Sequence, residues 1–309
     1  MNLISTSPSS VINVAQRSAA LLPYSSSFSD DGAIDYVYVN GFIKAEFDNL
    51  GLEKEFERNI TSCNSDGQHT LYMPEDTESV LKDTKWYQDR ERCLFTYLSQ
   101  PKNRYIARLM KWSIINSYSD DIYRLKPAPQ HLDSLIAALK LNDNDVPKTI
   151  NVIGTHQVIG QEPLPCIDIK KIECISPSNL VQQVQAQHAG FNSVKLKKVI
   201  GDILSLAENH GDTDHDRALN YALYHNLELY MGSYEIIYNH AGSNTEREVA
   251  QLNNVTVLSE ICGERKVAKV VFDFQNVQSS VGQHWYCAID VTDDYPFLLT
   301  KFKRYLPRY

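Results

Sequence analysis

The sequence lacks the marks of several common protein classes. No apolar run approaches the ~18–20 residues that a membrane-spanning helix needs, so no membrane segment is expected. The opening stretch has no basic start, Arg17 being its first positive side chain, and no sustained apolar core, so a secretory signal is not expected either. There is no C-x-x-C pair. The cysteines Cys63, Cys93, Cys166, Cys174, Cys262 and Cys287 are widely spread, as reduced thiols of a cytoplasmic protein would be. Neither G-x-x-x-x-G-K-S/T nor G-x-G-x-x-G occurs, which removes the usual phosphate cradles. The nucleophile elbow G-x-S-x-G and the zinc helix H-E-x-x-H are missing too. Positive charge is in deficit: 30 Lys and Arg against 38 Asp and Glu leave a net charge of −8, which disfavours a broad nucleic-acid surface.

What remains is an ordinary globular composition, 43% hydrophobic and 22% charged over 309 residues, enough for one large domain or two modest ones. Residues 1–33 are Ser-rich with little periodicity and read as a weakly structured arm. The polar break near 141–149 suggests an N-terminal α/β subdomain over 34–145 and a C-terminal α+β subdomain over 146–309.

The pattern from Ile34 to Phe47 is β-rich, with Gly41 marking a bulge or bend. Leu52–Arg58 reads as a short helix, Thr61–Met73 as a loop, and Glu75–Ser99 as a helix ended by Pro101. Two short strands, Ser113–Tyr118 and Ile122–Leu125, flank an Asp120-Asp121 turn, and Gln130–Lys140 is an amphipathic helix. Strands follow at Thr149–Gly154 and Cys166–Ile175, then helices at Asn179–Gln187, Lys195–Asn209 and Asp214–Tyr230. Val255–Ile261, Lys266–Gln275, His284–Thr292 and Phe297–Tyr305 read as consecutive antiparallel strands, the third with clear period-two alternation. The order predicts an α+β fold: mixed and antiparallel sheets, a central helical segment and a C-terminal antiparallel meander.

The richest polar cluster is His210–Arg217. His210, Asp212, Asp214 and His215 are metal-ligand types, so a divalent metal is one reading, although no cofactor is otherwise expected. The competing reading makes Thr213 or Asp214 a helix cap with an acidic first turn. Arg217, Asn220 and Tyr221 offer fork donors, an amide and an aromatic platform on neighbouring helical positions. They suit gripping a peptide backbone, or equally a buried network tying helix to sheet. Arg104, Arg108 and Trp112 share that spacing and that ambiguity. Basic side chains gather at Arg104, Arg108 and Lys111 and again at Lys301, Lys303, Arg304 and Arg308, as solvated surface or as docking points for an acidic segment.

Several segments in order resemble one known family. Tyr36–Phe47 with Gly51–Phe56, Asn103–Trp112, Tyr123–Pro127, Asp212–Tyr221 and Asp290–Lys301 are similar to landmarks of the PatG-type domain of cyanobactin maturation proteins, over roughly residues 34–305. The resemblance implies a role in the biosynthesis of ribosomally made, post-translationally modified peptides, most directly precursor-peptide binding. It implies less directly an enzyme reshaping the core peptide, through cyclisation, heterocycle or pyrroloindoline formation, and the same surface features fit a scaffold recruiting pathway enzymes. The expected partners are a precursor peptide and other enzymes of that pathway, with self-association left open. The family supplies no agreed catalytic set, and the chain carries no subtilisin-like region, so proteolysis is not implied.

Overall fold

Alternation along β1 (Tyr36–Glu46) sends Val37, Val39 and Ala45 into one core and turns Tyr38 and Asn40 to the opposite face. Gly41 falls where the strand changes partner: Tyr36–Gly41 pairs with β4 (Thr149–Gln157), and Phe42–Glu46 with β2 (Lys111–Ile115). A Cβ at Gly41 would stand 2.5 Å from the Ile115 carbonyl oxygen, so only glycine permits the close approach at this barrel corner. The structure, a computed structural model, describes residues 35–60, 84–141, 148–157, 164–207, 209–238 and 248–306. The expected N-terminal arm, the expected loop at 61–73 and Arg308 lie outside these residues.

With β3 (Asp121–Lys126) and β5 (Cys166–Ile175) the first sheet closes on itself in the order β1-β2-β3-β5-β4. Every junction is antiparallel except β3 with β5, which run parallel from Arg124↔Cys166 to Lys126↔Asp168. This is a five-stranded barrel of OB type, a scaffold that hosts many unrelated functions and assigns none by itself. Helices α1 (Leu50–Ile60), α2 (Thr84–Leu98) and α3 (Arg104–Leu109) are inserted between β1 and β2, and α4 (Leu132–Ala138) lies between β3 and β4. Phe56, Leu94, Leu98, Ile106 and Leu135 join the barrel strands in one buried cluster. The barrel therefore takes strands from both sides of the expected boundary at residue 145.

A second core forms between four helices and the meander. These are α5 (Pro177–Gln187), α6 (Ser193–Leu204), α7 (Asp214–His225) and α8 (Leu227–Tyr238). Ser176, Asn192 and Thr213 cap the first three through their side-chain oxygens. The single helix expected over Asp214–Tyr230 is in fact two. Asn226 leaves helical geometry at φ −109°, ψ 86°, as suits a residue whose side chain competes with the backbone. β6 (Ala250–Cys262), β7 (Arg265–Asn276), β8 (Gly282–Asp290) and β9 (Phe297–Arg304) form the antiparallel meander in sequence order. Val270, Phe272, Phe274, Cys287 and Ile289 face the helices. All described residues belong to one compact unit, and its α+β architecture with a C-terminal antiparallel sheet is the one the sequence predicts. Among them no helix is long and apolar enough to cross a membrane.

Candidate functional site

Helix α7 is fastened to the barrel before it reaches anything functional. The loop ahead of it lies directly on β1, where the Tyr38 amide donates to the Gly211 carbonyl at 2.8 Å. Gly211 has φ +70°, and a Cβ there would stand 2.2 Å from the Tyr38 oxygen, so both conformation and space demand glycine. Asn220 then donates from Nδ2 to the Tyr38 carbonyl at 2.7 Å and exchanges amide hydrogen bonds with Asn209. Arg217 donates to the Val291 carbonyl at 2.9 Å and to the Asp293 carbonyl, pairs with Asp214, and lays its guanidinium 5.2 Å from the Tyr36 ring centre. Burial pushes the Arg217 pKa down, and Asp214 partly restores it.

The second half of α7 is different. Tyr221 and His225 stack one turn apart with centroids 4.8 Å apart, and Tyr295 meets both edge-on at 6.0 and 6.2 Å. Beneath them His225 Nε2 lies 2.8 Å from the Tyr38 hydroxyl and 3.2 Å from Glu173 Oε2. The second contact is close by distance but makes no well-aligned hydrogen bond. Lys171 reaches Glu173 Oε1 at 2.5 Å and stands 4.7 Å from the centre of the Tyr295 ring. His225, then Lys171, hold the Glu173 carboxyl down at about 2, so it is charged at neutral pH. Burial first, and Glu173 next, push the Tyr38 hydroxyl well above its ordinary range, so it stays protonated. The Asn151 amide donates to that hydroxyl at 3.2 Å. The result is a polar seam under an aromatic rim, on the outer face of β1, β4 and β5.

A second place of interest is the open sheet. β6 pairs with β7 in unbroken register from Asn254↔Asp273 to Cys262↔Arg265. Among the described residues no strand pairs with its other edge. Along that run Leu258 and Ile261 are exposed, the latter at 82%. Its one charge, Glu260, is taken by Lys269 at 2.6 Å. β9 bounds the opposite side with two breaks of register against β8 and with Lys301, Lys303 and Arg304.

The family model described as the PatG domain matches residues 36–246, which is the barrel and the helical layer. The chain belongs to the PatG domain family. One solved structure, titled "PatG Domain of Unknown Function", is similar with a TM-score of 0.61 and 15% identity, over 87% of this chain and 98% of that one. That identity carries the fold alone. No curated protein matches. The expected landmark at Asp290–Lys301 lies past the family match, whereas those at Tyr36–Phe47, Asn103–Trp112 and Asp212–Tyr221 lie inside it.

Within the PatG domain architecture the sequence candidates are dispersed. Arg217 and Asn220 are buried, at 3% and 0% exposure, and their hydrogen bonds are made inside the fold, as a network tying helix to sheet would be. A peptide lying on the surface does not reach them. Tyr221 alone of that trio is half-buried, at the rim of the seam. Trp112 is a core residue, 1% exposed, with its indole N–H on the Ala107 carbonyl at 2.8 Å. Arg104 pairs with Asp133, and Arg108 is exposed beside exposed Tyr105 and Leu109 on α3. Thr213 caps α7 by accepting from the Asp216 amide at 3.1 Å, which is the capping reading of the His210–Arg217 cluster. Asp214 is engaged by Arg217 and Lys266, and His215 lies 2.6 Å from Ser259 Oγ. With His210 and Asp212 on the preceding loop, the four do not converge: among the described residues no group of three or more His, Cys, Asp or Glu is gathered for a metal. Tyr38, Asn151, Glu173, His225 and Tyr295 are absent from the candidates drawn from sequence. The signal for them is faint: two polar residues, Tyr38 and Asn40, on the alternate face of an otherwise apolar strand, and a histidine one turn after Tyr221.

Proposed function

We propose that this protein binds an extended precursor peptide in the biosynthesis of a ribosomally made, modified peptide, holding it by main-chain pairing along the free edge of β6. The regular run from Asn254 to Cys262 carries this reading. An unpaired strand edge presents alternating N–H and C=O groups that an extended chain completes. The run is rich in β-formers, has no Pro or Gly, and its one charge is internally compensated. Exposed Leu258 and Ile261 supply apolar contacts for alternate side chains of the guest. Family membership favours a pathway of modified peptides, and the described cysteines, all free, suit a cytoplasmic setting.

The test is a titration of purified protein with the synthetic precursor peptide encoded beside its gene. Binding tighter than about 100 μM is expected. The double variant L258K/I261K should weaken it at least about 10-fold, because edge lysines oppose strand addition. Absence of binding in the wild type, or binding untouched by that variant, refutes the edge. Sedimentation of the free protein separates a competing outcome: a concentration-dependent dimer lost in L258K/I261K would mean that a second copy takes β6.

A further inference from the structure

The polar seam contains a row of atoms that the fold leaves unanswered. Asn40 on β1 faces Asn151 on β4, which faces Glu173 on β5, all as direct register partners, so their side chains stand side by side across the sheet. The inward face at these strands is taken by Val37, Val39, Ile150 and Val152 of the barrel core, which turns Asn40 and Asn151 outward, under α7. Yet both are buried, at 7% and 0% exposure. Asn40 Nδ2, Asn40 Oδ1 and Asn151 Oδ1 have no hydrogen-bond partner among the described residues. Each unanswered buried group costs about 1–3 kcal/mol and so calls for an explanation, and a group from outside the chain is one that meets all three atoms together.

We propose that this seam is a binding site for a neutral carboxamide, the group carried by a peptide unit or by a small amide. Beside Glu173 Oε2, the unanswered inventory of the two asparagines is one amide donor group and two carbonyl acceptors, and a carboxamide returns N–H to carbonyl and C=O to N–H. The charge of the one carboxylate of the row is already balanced by Lys171, which holds Glu173 Oε1, so a further cation gains little there although Oε2 is unanswered. An anion meets that same carboxylate. Above the row Tyr221, His225 and Tyr295 form a partly exposed rim whose ring faces suit the apolar flanks of an amide, and Tyr295 is 37% exposed. The site is separate from β6 and does not depend on the edge.

The test follows the side-chain amide NMR signals of Asn40 and Asn151, assigned by N40D and N151D, in the full chain. The probes are N-methylacetamide and acetyl-glycine N-methylamide, with sodium acetate and methylammonium chloride as ionic controls. Both signals should move saturably with the amides, at roughly millimolar concentrations for ligands this small, and not with the ions. A stronger response to acetyl-glycine N-methylamide would mark a peptide main chain as the source, and an equal response a small amide. L258K/I261K should respond as the wild type does, which keeps failure of this site distinct from failure of the edge. No saturable shift, a response to the ions alone, or a high-resolution structure in which ordered water meets all three atoms and persists at saturating amide would overturn the proposal.

Discussion

The barrel and the meander handle the same problem, unpaired strand edges, in opposite ways. The barrel has none, because β3 and β5 meet in parallel and close the ring. The meander is open and its two edges are unlike. β9 carries two register breaks and three basic side chains, features that deter strand addition. β6 keeps nine residues in register and one compensated charge. Among the described residues, protection is thus placed on one side of the sheet and withheld on the other, the asymmetry on which the proposed strand acceptance rests.

The largest expected effect breaks the closed half of this comparison. A Cβ at Gly154 would stand 2.3 Å from the Asp168 carbonyl oxygen across the β4–β5 junction. Gly154→Val should lower stability by more than about 4 kcal/mol, read as loss of the cooperative thermal transition. Next is the lock that ties α7 to the turn after β8. Arg217→Met leaves the Val291 and Asp293 carbonyls unanswered and should cost about 2–4 kcal/mol in denaturant unfolding. The edges themselves should hardly affect stability. L258K/I261K and the matching β9 variant F297K/L299K should each change it by no more than ~0.5 kcal/mol, while only the β6 pair weakens peptide binding. Equal loss from both would erase the distinction between the edges.

The smallest effect concerns pH. The Glu173 carboxyl is held down at about 2 in the fold, against ~4.3 in an unfolded chain. Its contribution is therefore present above the unfolded value and disappears as pH falls from about 4 toward 2. The group is partly solvated, so the contribution is on the order of 1 kcal/mol. Thermal melts of wild type and E173Q should differ at pH 7 and converge by about pH 2.

The meander was legible because its signal is local. Period-two alternation in Trp285, Cys287 and Ile289 and turn residues between strands suffice to place four neighbouring strands. Barrel closure is non-local: nothing in Tyr123–Leu125 announces a parallel partner at Cys166–Ile169. The break at Asn226 was hidden because apolar spacing continues through it. Arg217 and Asn220 were singled out for chemistry that fits a ligand and fits a buried lock equally, and only burial separates the two. The seam was hardest to foresee, since Tyr38, Asn151, Glu173, His225 and Tyr295 come from four elements and a turn and meet only in three dimensions.

The parallel closure of β3 by β5 also sets an order of events on the ribosome. β1, β2 and β3 emerge first and can pair as a meander, but the free sides of β1 and β3 stay open until Thr149–Ile175 has been made. During that interval the nascent chain exposes two unprotected strand edges together with the apolar interior of an unfinished ring. Chains interrupted between residues 127 and 175 should therefore be sticky, and chaperone dependence during synthesis should fall sharply once β5 has cleared the exit tunnel.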